Sequence, residues 1–60
     1  MSNHEIIVTK LYSMLEMAKE LAEMREPALE GDIQIVLALV SDKLRYMDPL
    51  NYYEHVTQYE

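Results

Sequence analysis

Sixty residues without a cysteine, carrying eleven acids against five bases for a net charge of −6, exclude several classes of protein at once. One small domain is the upper limit, disulfides and thiolate zinc sites are ruled out, and the basic patch that contact with nucleic acid or an anionic membrane requires is missing. Half of the residues are hydrophobic, with one Gly and two Pro, a balance that suits a folded chain rather than a disordered one.

The first predicted element is a helix over residues 4–25. It opens on Ser2-Asn3-His4-Glu5, a capping box in which side chains satisfy orphan backbone donors. Ile7, Leu11, Met14, Ala18 and Leu21 then recur at alternating spacings of four and three, which stacks them on one face. Val8, Leu15 and Ala22 widen that face on one side, and Ile6, Met17 and Met24 on the other. The apolar arc reaches about 200°, roughly twice what one packing neighbour requires. Thr9, Ser13, Glu16, Glu20 and Glu23 fill the opposite face.

Glu26 precedes Pro27 and is pushed away from helical dihedrals, which places a bend at 26–31. The second helix begins either with Pro27 in its first turn or after Gly31 with Asp32 as N-cap; the expected span is 32–47. Ile33, Leu37, Val40, Leu44 and Met47 form its core face, with Val36 beside them. The β-branched residues Ile33, Ile35, Val36 and Val40 favour a strand locally, but the periodicity runs on to Met47 and no partner strand exists. Ile35, Leu39 and Tyr46 make a second apolar patch on nearly the opposite side. A helix apolar almost all round needs more than one neighbour.

Asp48-Pro49 reads as an N-cap followed by proline at the first helical position, and starts a short third helix over 49–58. Leu50, Tyr53 and Val56 can make one face of it, in a segment that also carries Tyr52 and Tyr59.

The fold class is therefore all-α, one domain over 1–60: an antiparallel helical hairpin with a short third helix. Folding hides about 6,000 Å² in a chain of this size. At about 25 cal/mol per Å² of the apolar share, burial contributes roughly 90 kcal/mol, and ordering the residues costs about the same. A lone chain is marginal, and without disulfides oligomerisation is the remaining source of stability. The expected assembly is a homodimeric four-helix bundle, two hairpins paired face to face. Two other covers are open: the third helix folded over Ile35, Leu39 and Tyr46 in a three-helix monomer, or a different protein docked there.

No residue cluster points to chemistry. His4 and His55 have no nucleophile or orienting group at an informative spacing and read as surface histidines. Glu16 and Glu20 are not accompanied by the Glu-x-x-His motif of bundle metal sites. No enzymatic activity, metal or cofactor is expected. Met14 and Met47 fall in the core stripes, while Met17 and Met24 lie where core and interface meet. The functional expectation is a small acidic protein-interaction module, a regulator, inhibitor or accessory subunit. Its interface is Met17, Met24, Ile35, Leu39, Tyr46 and Tyr53, and its partners are a second copy and another protein. The alternative is a decoy whose acidic face, Glu16, Glu20 and Glu23, imitates phosphates, although Lys19 and Arg25 interrupt that face. A cytoplasmic location is expected: residues 1–5 lack the basic and apolar regions of a secretory signal, and the longest apolar run, residues 35–40, cannot span a bilayer.

Overall fold

Three helices account for nearly all of the computed structural model, which describes residues 2–58 and side chains through His55: α1 (Asn3–Met24), α2 (Glu30–Met47) and α3 (Pro49–Gln58). The expectations placed on the Val56 side chain and on Tyr59 fall outside the described residues. No strand occurs among the described residues, and no helix there is long and apolar enough to cross a membrane.

Helix α1 starts where the capping box places it. Ser2 Oγ accepts from the Glu5 N–H at 3.2 Å, and the Ser2 carbonyl takes the first helical bond from Ile6 at 3.1 Å. The helix ends one residue earlier than expected, because Arg25 adopts the left-handed region (φ 53°, ψ 42°) and donates its N–H to the Ala22 carbonyl. This is the C-terminal stop that glycine usually supplies, here at a residue whose Cβ resists it.

The bend is shorter than the sequence implies. Leu29 N–H donates to the Glu26 carbonyl at 3.0 Å and Ala28 N–H to the Glu26 carboxylate at 3.3 Å, closing a turn around Pro27. Helix α2 then begins at Glu30, with Leu29 as N-cap and no capping side chain. The start lies between the two left open by the sequence, and the expected span of 32–47 extends to 30–47. Gly31 has ordinary helical geometry within the first turn, and Glu30 and Asp32 stand there as acids against the positive end of the helix dipole. At the far end, Asp48 N–H bonds to the Leu44 carbonyl at 2.8 Å, and Pro49 prevents α2 from continuing. The Asp48 carbonyl accepts from Tyr52 N–H at 2.9 Å, which starts α3 at the expected residue.

Helices α1 and α2 lie antiparallel: Tyr12 meets Asp48, and Leu15 packs with Val40 and Leu44. The buried core consists of Leu15, Ala18, Ile33, Val40 and Leu44. On α2 the core face is the expected one, with Leu37 and Met47 half-buried beside it. On α1 the expected stripe is corrected. Ile7, Met14 and Leu21 are exposed, and Val8, Leu11, Leu15, Ala18 and Ala22 face α2 instead. At about 100° per residue this turns the stripe by about 60°. The physical reason is the width of the α1 arc: several faces can receive α2, and α3 selects the one that also brings Tyr12 and Glu16 within its reach.

The third helix packs on the hairpin through Tyr52 and His55. Leu50 and Tyr53 point outward, whereas Tyr52 packs against the Leu15–Val40–Leu44 cluster and His55 reaches back to α1. It covers the core beside α1 and leaves Ile35, Leu39 and Tyr46 open, so the lid over that patch is not formed. The radius of gyration is 12.2 Å, against about 10.4 Å for a compact chain of sixty residues, and the principal extents are 38 × 25 × 15 Å.

Candidate functional site

Two surfaces of the hairpin differ in kind. The first is closed by α3 through a polar anchor. Asp48, at the α2–α3 joint, accepts from the Tyr12 hydroxyl at 3.2 Å and from Asn51 Nδ2 at 3.1 Å. One turn further along α1, Glu16 Oε1 lies 2.9 Å from His55 Nε2; a carboxylate can only accept, so Nε2 carries the proton. The His55 ring leans on Tyr12 at a centroid distance of 5.3 Å. Burial, and then the neighbouring Asp48 carboxylate, push the Tyr12 hydroxyl up to about 12. His55 is therefore a tether for α3 and not the surface histidine of the sequence reading. An open cleft of about 400 Å³ beside this anchor is bordered by His4, Glu5, Thr9, Tyr12, Asp48 and Asn51. It encloses nothing, and among the described residues no three His, Asp or Glu side chains group to hold a metal ion.

The second surface lies on the other side of the hairpin. Viewed down α1, Tyr12 and Glu16 sit clockwise of the residues facing α2, and α3 packs there. Ile7, Met14 and Leu21 fall about 60–100° anticlockwise of the same direction. Because α2 runs the opposite way, Val36, Leu39 and Lys43 emerge on that same anticlockwise side. Met17 continues the surface around the outer edge of α1, and Ile35 and Tyr46 continue it around α2. Each apolar residue on it is exposed, Met14 to 46%, Leu39 to 59% and Tyr46 to 86%. Lys10, Lys43 and Asp32 are charged residues of this face, and Glu5, Glu16, Glu23 and Asp48 belong to the α3 side.

The expected interface residues can now be placed. Ile35, Leu39 and Tyr46 form one exposed stripe on α2, and Met17 and Met24 lie exposed along α1. Tyr53 is exposed on α3 next to Leu50, its ring edge-on to Tyr52 at 5.7 Å, and does not join either stripe. Of the acidic face, Glu16 is engaged by His55 and by Lys19 at 3.8 Å, while Glu20 and Glu23 are exposed. Sequence reasoning missed Ile7, Met14 and Leu21 as surface residues, although the 200° arc of α1 already contained more apolar width than one neighbour could hide. It also missed the Tyr12–Asp48 and Glu16–His55 pairs, whose partners are 36 and 39 residues apart and follow no local pattern.

No family model, no curated protein and no solved structure matches this chain.

Proposed function

We propose that this chain is a non-catalytic protein-interaction module, an accessory or regulatory subunit that works through the hairpin face opposite α3. One observation carries the reading: an apolar surface runs along both long helices and stays open in the folded chain, while α3 packs on the other side. Contiguous apolar surface on this scale marks a binding site in a soluble protein. Tyr12, Glu16, Asp48 and His55 are occupied in holding α3. A cytoplasmic setting fits a chain without cysteine and is part of the same proposal.

The test uses the full chain as bait in its native cells, with a photo-cross-linker at position 39. Partner polypeptides should be trapped equally at low and physiological salt, since apolar contacts respond weakly to ionic strength. Met14→Glu should abolish trapping, and Glu20→Lys with Glu23→Lys should leave it intact. Salt-labile trapping that survives Met14→Glu and disappears in the lysine variant would refute the proposal in favour of the acidic face.

A further inference from the structure

Resting on the reading of this face as a docking surface, we infer that its occupant is a second copy of the chain. Two hairpins pack face to face as a four-helix bundle, with both α3 helices on the outside. Four observations lead there. The first is area. The chain exposes 4832 Å², against about 4,100 Å² for a folded monomer of its mass, an excess of roughly 700 Å². Each partner in a standard protein interface contributes about 800 Å². Burying that much would bring the accessible surface per chain close to that of a compact monomer.

The second is shape. Ile7, Met14, Met17, Leu21 and Met24 are exposed along α1 at spacings of seven, three, four and three, the seam that receives a helix running nearly parallel or antiparallel to its own axis. A seam of this length, about 25 Å, calls for a partner helix of about five turns. Helices α1 and α2, with 22 and 18 residues, have that length.

The third is charge. Pairing through the α3 sides would set Glu5, Glu16 and Glu23 of two chains against each other. Pairing through the open faces turns those carboxylates outward and brings in Asp32 with Lys10 and Lys43, whose stems can lie on apolar surface while their ammonium groups reach water. The fourth is supply. Among the described residues five are buried, a small core with no disulfide to reinforce it. Whatever covers the face must be present wherever the chain folds, and a second copy always is.

The test is sedimentation equilibrium of the full chain, combined with isotope-filtered NOE measurements on a mixture of labelled and unlabelled protein. The inference expects twice the chain mass of 7.1 kDa, with intermolecular contacts from the Ile7, Met14 and Leu39 methyl groups. Met14→Glu should raise the dissociation constant about a hundredfold or more by placing a charge in the apolar seam. Leu50→Glu, on the exposed side of α3, should leave it unchanged. A wild-type monomer, or intermolecular contacts confined to Leu50 and Tyr53, overturns the inference. With a monomer, the cross-linking experiment at position 39 separates the two ideas: a trapped foreign polypeptide keeps the docking face and removes only the second copy, and no trapping removes both.

Discussion

Replacing Leu44 by alanine tests whether the small core governs folding. Leu44 is wholly inaccessible and packs with Leu15 and Val40, while Tyr52 closes the cluster from α3. Truncating a buried leucine to alanine costs about 2–5 kcal/mol, depending on how far the site can collapse. Here α3 is joined to α2 by a single non-helical residue, Asp48, so Tyr52 has limited freedom to settle into the void, and a loss of about 3 kcal/mol is expected. A chain of this length has a total stability of about 3–9 kcal/mol. The substitution therefore removes a third of it or more, and the melting midpoint should fall by about 12–24 °C. Thermal unfolding followed by far-UV circular dichroism, at one fixed protein concentration, measures this directly. Leu50→Ala is the control: Leu50 is exposed on α3, and its loss should change stability by less than about 0.5 kcal/mol. A fall of less than about 5 °C for Leu44→Ala, or equal falls for both variants, would refute the assigned core.

The remaining predictions concern the backbone stop, the helix start and the α3 anchor. Arg25→Gly relieves a left-handed residue and should stabilise the chain by about 0.5–1 kcal/mol, read as a rise in the denaturant midpoint at constant slope; a loss would show that the Arg25 side chain matters more than its backbone. Gly31→Ala should also stabilise, by about 0.4–1 kcal/mol, because Gly31 has helical geometry and a methyl group there meets nothing within 4 Å; destabilisation would restore Gly31 as the turn residue. Tyr12 holds its proton more tightly in the folded chain than at its ordinary value of 10.0, so its contribution is complete below pH 10 and is lost as pH rises toward about 12. The wild type should lose up to about 2 kcal/mol more than Tyr12→Phe over that interval, the half-buried position reducing the full effect. Identical pH dependence of the two chemical-denaturation curves would show that Tyr12 is not bound to Asp48.

Much of this architecture is local and was readable. The capping box at Ser2 fixes the start of α1, Asp48-Pro49 fixes both the end of α2 and the start of α3, and the four-three spacing from Ile33 to Met47 is the face that α2 buries. Two kinds of feature were not readable. Where a helix has apolar width to spare, periodicity leaves its facing undetermined: Ile7–Leu11–Met14–Ala18–Leu21 and Val8–Leu11–Leu15–Ala18–Ala22 are both sound stripes. The choice between them depends on where α3 lands, which Tyr12, Glu16 and His55 decide across the fold. The left-handed Arg25 is the second kind. Residue preference favours Gly31 for that conformation, but the chain has to turn ahead of Pro27, and Arg25 stands at the point where it does so. The open surface was half legible. Ile35, Leu39 and Tyr46 follow from the pattern of α2 alone, whereas Ile7, Met14 and Leu21 appear only once α2 has taken the other side of α1.

The reactivity of Met14 in the intact protein bears most directly on whether this face is covered in solution. Methionine oxidation follows solvent access, and within the single chain Met14 is 46% exposed. With the face covered, Met14 of the wild type should oxidise at least several-fold more slowly than Met14 of Leu39→Glu. A wild-type Met14 that oxidises as fast as Met14 of Leu39→Glu would mean that the surface stands open to water and that nothing docks on it.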